Sequence, residues 1–201
     1  LDIKGNIAVV GSHFLSFDEG VSIIDISDPI QPRWIAQLEI SNFYARSPLG
    51  FAFFEDHLFV ASRLSQLHDY DLSNPEAPVL NALYDTVSDP KSSSDARDVK
   101  INGNIAYVID RNAGLTTYQI QSDATLVPLA NLPIDDRCQS LTLLDDLAFI
   151  CSNNRSYIIQ IDNPANPQLL SVIEGISESF FVQSIITAHR DGNLLYTVDY
   201  N

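Results

Sequence analysis

One pattern returns five times along these 201 residues, and it constrains the fold more than any other feature. Its fullest copy covers residues 98–129, DVKINGNIAYVIDRNAGLTTYQIQSDATLVPL. Two alternating apolar runs meet at Gly103-Asn104. A polar loop leads to Gly114-Leu115, and a third and a fourth run follow. We anchor the copies on the turn before the second run: Gly5-Asn6, Asp56-His57, Gly103-Asn104, Asp145-Asp146 and Gly192-Asn193. Counted from the second residue of each pair, the spacings are 51, 47, 42 and 47.

After each anchor comes an apolar run: IAVV at 7–10, LFVA at 58–61, IAYV at 105–108, LAFI at 147–150 and LLYTV at 194–198. A third run follows at 21–26, 68–72, 115–120 and 157–161. A proline turn of one shape then appears three times, as SDPIQP at 27–32, SNPEAP at 73–78 and DNPANP at 162–167; the third copy has QSDATL instead. Fourth runs close the copies at 33–40, 79–85, 126–132 and 168–175. Short runs rich in Val, Ile, Leu, Tyr and Phe, bounded by Gly, Pro, Asn and Asp, read as strands. No stretch of 11 or more residues holds a helical period, so helix should be scarce. Four strands in every roughly 40–50 residues is the pattern of a β-propeller blade. A lone twisted sheet cannot bury both faces. Stacking it between neighbours does so, and this explains strands that read as nearly continuous apolar runs.

The motifs GNIAYV, GLTTYQI, GVSIIDI and DISDPIQP resemble the LVIVD repeat family of bacterial and archaeal propellers. The likeness extends over essentially the whole chain and is best in copies one and three. It departs at Gln119 and Gln160, where other copies carry Asp25 and Asp71, and at the missing proline turn. The resemblance implies an all-β propeller, often outside the cytoplasm, and brings no established reaction or catalytic residue. The repeats fall at about 1–47, 48–96, 97–137, 138–181 and an incomplete 182–201, four and a half blades in one propeller domain. Because a ring needs its last blade completed, we expect this segment to belong to a larger propeller of roughly six to eight blades, with the remaining blades or domains on a longer chain. The opening LDIKGN has neither Met nor a signal-like segment, which suggests a mature or trimmed product.

With 26 acidic and 11 basic residues the net charge is −15, which argues against nucleic acid and anionic membranes as partners. No apolar run approaches the roughly 20 residues of a membrane span. Cys138 and Cys151 flank one expected hairpin and lack metal spacing. Two buried thiols are the plainer reading, and a cross-strand disulfide is the alternative.

In such a blade the Gly-Asn and proline turns share one rim, and the variable loops and crossovers share the other. Loops on a rigid scaffold are the usual seat of binding. Of eight arginines, Arg46, Arg63, Arg97, Arg111, Arg137 and Arg155 fall on the variable rim, and Arg33 and Arg190 do not. Guanidinium forks suit carboxylates and phosphates, so a central anion site is the sharp reading. The same loops also carry many acids, among them Asp85, Asp95, Asp98, Asp110, Asp135 and Asp136. Ion pairs between loops are therefore the plainer reading, and the preferred one. Arg97-Asp98, entering the best-preserved inner strand, is the pair expected to face the channel. Tyr44 joins the candidates because Phe43-Tyr44, like Phe180-Phe181, sits in a crossover. Exposed there, such aromatics mark a protein or carbohydrate contact; buried, they wedge between blades.

Other motifs point to structure. Asp25 and Asp71, at one repeat position, are expected to accept turn N–H bonds. His13, His57, His68 and His189 share no spacing and should not converge on a metal. No cofactor is expected. Ca2+ is the option left open, through Asp89, Asp95, Asp98 and Asp110, though no calcium-loop pattern is present. The resulting expectation is a non-catalytic binding or scaffolding module, secreted, periplasmic or on a cell surface, with its ligand on the variable rim. The alternative is a hydrolase or lyase whose acids and arginines, or a bound Ca2+, lie on the same rim.

Overall fold

The structure is a computed structural model that describes residues 1–11, 20–40, 47–87, 93–153, 155–174, 185–191 and 194–199, with backbone alone for Ser47 and for the last two stretches. It is all-β, and among the described residues there is no helix. The first sheet contains β1 (Asp2–Lys4), β2 (Ile7–Gly11), β3 (Val21–Asp25) and β4 (Arg33–Leu38). The second contains β5 (Ser47–Phe54), β6 (His57–Arg63), β7 (Leu67–Asp71) and β8 (Val79–Tyr84). The third contains β9 (Ala96–Asn102), β10 (Ile105–Asp110), β11 (Gly114–Ile120) and β12 (Leu126–Leu132). The fourth contains β13 (Cys138–Leu144), β14 (Leu147–Ser152), β15 (Arg155–Gln160) and β16 (Gln168–Glu174). β17 (Ile185–Asp191) and β18 (Leu194–Asp199) form a hairpin. Every four-stranded sheet is an antiparallel meander in chain order, which makes it a propeller blade. The first strands β1, β5, β9, β13 and β17 lie side by side along the inside.

Alternation along each middle strand explains the stacking. In β6, Leu58 and Val60 join Val9, Val21, Ile23 and Leu38 of the first blade. The intervening Phe59 and Ala61 join Val99, Val108 and Tyr118 of the third. In β10, Ala106 and Val108 face back to the second blade, while Tyr107 and Ile109 pack on Leu141, Ile150 and Ile159 of the fourth. Successive side chains leave a strand on opposite faces, so a sheet stacked on both sides needs an unbroken apolar run. Each fully buried Phe or Ile contributes about 1.5–3 kcal/mol to this stacking. Close approach also matters at the inner wall: a Cβ on Gly50 of β5 would lie 2.6 Å from the Asp98 Cα on β9.

The first-to-second turns are two-residue loops, with one correction. Phe54 pairs with His57, so the second blade turns at Glu55-Asp56, one residue before the anchor read from the sequence. No Gly or Asn pair marked that turn. The first loop residue has positive φ in all four blades: Gly5 at 56°, Glu55 at 46°, Gly103 at 59° and Asp145 at 55°. The second loop residue then accepts an N–H from the end of the third strand or the residue just after it. Ile26 donates to Asn6, Leu72 to Asp56, Ile120 to Asn104 and Ile161 to Asp146, at 2.7–2.8 Å.

Asp25 accepts the Ser27 N–H at 2.9 Å and Asp71 accepts the Ser73 N–H at 2.8 Å, as their repeat position led us to expect. These bonds hold both carboxyls below their ordinary pKa. In the third blade the Gln119 amide stands in for the aspartate, donating to the Asn104 carbonyl at 3.0 Å. QSDATL replaces the proline turn with a reciprocal loop, Gln121 donating to Thr125 and Ala124 to Gln121.

Cys138 and Cys151 are free and buried. Cys138 pairs in register with Ser152 and Cys151 with Ser140, and the thiols enter different core clusters. Burial pushes Cys138 up to about 12, aided by the nearby charges of Asp136 and Asp110.

Candidate functional site

The variable rim is organised around Asp95, just before β9. Its Oδ1 accepts the Leu64 N–H at 2.9 Å, and its Oδ2 lies 3.0 Å from an Arg97 terminal nitrogen and 3.8 Å from one of Arg111. Its own N–H donates to Asp110 Oδ2 at 2.7 Å. Asp110 accepts further from the Thr86 hydroxyl and from the Asn112 and Ala113 N–H groups. Two aspartates thereby stitch the second and third blades together.

The arginines sort into three kinds. Arg97 is 6% exposed and committed to Asp95. Arg155 is turned to the outer strand, where its Nε donates to Glu174 at 3.0 Å. Arg63 and Arg137 are exposed, and among the described residues neither forms an ion pair. Arg111 lies among these side chains. Burial first, then the positive charges of Arg97, Arg137 and Arg63, lower its pKa against the opposing pull of Asp95. Arg63, Arg97 and Arg137, from three blades, thus each come near enough to Arg111 for their charge to act on it. Tyr44, Arg46, Phe43, Phe180, Phe181, His13 and Asp89 lie outside the described residues.

Below the rim, the inner strands line an open hollow of about 700 Å3. Arg97 and Asp98 both line it, yet they do not pair with each other. Asp98 Oδ1 accepts Lys100 Nζ at 2.7 Å and the Val99 N–H at 2.9 Å, and Oδ2 accepts the Leu141 N–H at 3.0 Å. Burial raises the Asp98 pKa, against the pull of Lys100. Lys100 and Ser140 were not singled out from the sequence. Period-two spacing could have signalled Lys100, which shares a strand face with Asp98.

The oxygens of Asp95, Asp98 and Asp110 are thus occupied by N–H, O–H and cationic donors. Among the described residues no three His, Cys, Asp or Glu side chains are placed to hold a metal ion. His57 instead shares a hydrogen bond with buried Asp69 at 2.8 Å, and Asp69 also accepts the Asn81 amide at 2.7 Å. His68 is buried, 3.1 Å from the Ser65 hydroxyl and stacked on Tyr70. Two tyrosines at equivalent third-strand positions tie their blades to the preceding one: Tyr70 donates to the Glu39 carbonyl at 2.8 Å and Tyr118 to that of Asp85 at 3.4 Å. Among the described residues no helix is long and apolar enough to cross a membrane.

Fold and rim together define a β-propeller whose described rim residues include the charged cluster around Asp95. The LVIVD repeat model matches residues 2–37 and 93–125, in the first and third blades. No curated protein matches the chain. Among solved structures, a protein from Lactobacillus plantarum superposes with a TM-score of 0.78 at 13% identity, covering 96% of this chain and 61% of the other. The periplasmic gluconolactonase PpgL of Pseudomonas aeruginosa gives 0.75 at 13% identity, over 92% and 58%. The computationally designed Ika8 protein gives 0.68 at 14%, over 98% and 53%. At these identities the likeness is one of fold, and the chain spans 53–61% of the length of these three structures.

Proposed function

We propose that this propeller is a non-catalytic binding module whose variable rim captures a partner bearing several carboxylates. The observation that carries this reading is the gathering of Arg97 and Arg111 on the Asp95 carboxylate, at 3.0 and 3.8 Å, with exposed Arg63 and Arg137 on the same rim. The nearby acids are largely consumed: Asp85 accepts the Gln66 amide at 2.9 Å, and Asp136 accepts the Arg137 N–H, the Ser152 hydroxyl and Tyr157. Arg63 and Arg137 therefore present guanidinium forks to solvent, in a chain of net charge −15. A fork binds a carboxylate through two parallel hydrogen bonds, so two forks on a rigid rim favour a ligand with spaced carboxylates. Asp95, Asp110 and Asp136 on the same rim are each engaged by donors, which favours binding over hydrolysis. A setting outside the cytoplasm, as a secreted, periplasmic or surface module, belongs to the same proposal.

Immobilised chain titrated with poly-glutamate and with polygalacturonate tests this. At least one should bind, more weakly as salt rises. Changing Arg63 and Arg137 together to Gln should weaken binding about tenfold or more, or roughly 1.4 kcal/mol. Failure of both polymers, or undiminished binding by the double variant, would overturn the reading.

A further inference from the structure

We propose that the open face of the first blade docks the far side of a second copy of this chain, so that two copies share one propeller ring. Every blade has a leading face, turned to the blade before it, and a trailing face, turned to the blade after. At the second-strand position of Val10 the next three blades carry Val60, Val108 and Ile150, which the preceding blade covers to 1% exposure or less; Val10 is 37% exposed. At the first-strand position of Ile3 they carry Phe53, Ile101 and Leu143, each packed against the core shared with the preceding blade. Ile3 is 54% exposed. At the third-strand position Tyr70, Tyr118 and Ile159 are buried and Ile24 is half-buried, with exposed Trp34 paired beside it on β4.

The chemistry of this face and the joints inside the molecule define the occupant. Cross-strand pairing puts Ile3, Ala8, Ile24 and Trp34 in one row and Val10, Ser22 and Gln37 in the next. Neither row holds a charge, in a chain with 26 acidic and 11 basic residues. An apolar, uncharged patch of this kind calls for an apolar protein surface. At each joint between the four blades, a leading face meets the trailing face of a sheet of the same repeat, and one trailing face is still partly open. On the fourth blade Ile173 is 45% exposed, where Leu38, at the same register position of the first blade, is 2% exposed. Ile158 is half-buried there, where Ile23 is fully buried. A second copy therefore brings the complementary side and repeats a joint the fold already makes. Such a contact is heterologous, and it closes when the rotation completes a ring. This chain spans little more than half of the propellers on which it superposes, so two copies supply about one ring. The rim arginines take no part, and the inference stands apart from the binding reading.

Sedimentation velocity of the whole chain across the micromolar range tests it. The 22.3 kDa chain should equilibrate with a species of twice that mass. Changing Ile3 and Trp34 together to Lys should weaken the association about tenfold or more. Both side chains are exposed in the single chain, so circular dichroism and melting of dilute protein should match wild type. Val79→Lys changes an equally exposed outer-strand residue away from this face, and it should associate as wild type does. So should the combined Arg63 and Arg137 variant, which lets the rim reading and this one fail separately. Tagged wild type should still capture the Ile3 and Trp34 variant through that variant's intact far side. A monomer at every concentration would overturn the proposal and leave the face to another partner. Loss of association in Val79→Lys would reduce it to general stickiness. Failure to capture the double variant would mean that two leading faces pair with each other, and growth beyond two copies would exclude the shared ring.

Discussion

The Asp98 carboxylate on β9 accepts the Leu141 N–H on β13 at 3.0 Å, a side-chain bond that joins the inner walls of the third and fourth blades. The same carboxylate holds Lys100 and its own neighbour Val99. Replacing it with Ala leaves buried donors unmatched. Asp98→Ala should cost about 2–4 kcal/mol in urea unfolding. Asp98→Asn, which keeps one carbonyl oxygen, should cost less. Equal stability of wild type and Asp98→Ala would show that this bond does not hold the blades together.

Glu55 occupies with φ 46° the loop position that Gly5 and Gly103 fill in the first and third blades. A side chain there pays the left-handed penalty that glycine avoids. Glu55→Gly should therefore raise stability by about 0.5–1 kcal/mol, read as a higher melting temperature. A drop would mean that glycine's extra freedom in the unfolded chain outweighs the relieved strain.

Burial pushes the pKa of His68 down to about 4, from 6.5 in an unfolded chain. Between these values the unfolded state binds a proton that the native state refuses. Native stability should thus fall as pH drops from 6.5 towards 4, by at most about 3 kcal/mol from this residue. Comparing urea midpoints of wild type and His68→Gln across that range isolates the effect from the carboxylates. Parallel curves for the two proteins would contradict it.

Cys138 and Cys151 are both buried, and burial raises both thiols. Native protein at pH 8 should take up iodoacetamide very slowly, and both sites should react within minutes in urea, counted by mass spectrometry. Intact mass without reductant should show two free thiols. A loss of two hydrogens would reveal the disulfide that the register in β13 and β14 opposes.

The blades were readable because their causes are local. Apolar runs bounded by turn residues mark the strands, and Gly5 and Gly103 mark turns where a positive φ is needed. Where the marker was missing, at Glu55-Asp56, the reading slipped by one residue. Asp25 and Asp71 were legible for the same reason: their partners sit two residues away. The rim was legible only as a list. Spacing along the chain put Arg63, Arg97, Arg111, Arg137 and Arg155 on one side of the blades. It could not separate Arg155, which meets Glu174, from Arg111, which shares Asp95 with Arg97.

The sequence alone determined the repeat, the four-stranded blade and the placement of short turns and variable loops on opposite rims, because period, turn chemistry and β-propensity act over a few residues. Only the tertiary structure decided which carboxylate each arginine meets, and that Arg97 and Asp98 turn to different partners. These pairings join different blades, or neighbouring positions whose side chains leave the strand in different directions. They depend on how far each sheet is rotated against the next, and stacking sets that rotation while no local pattern encodes it.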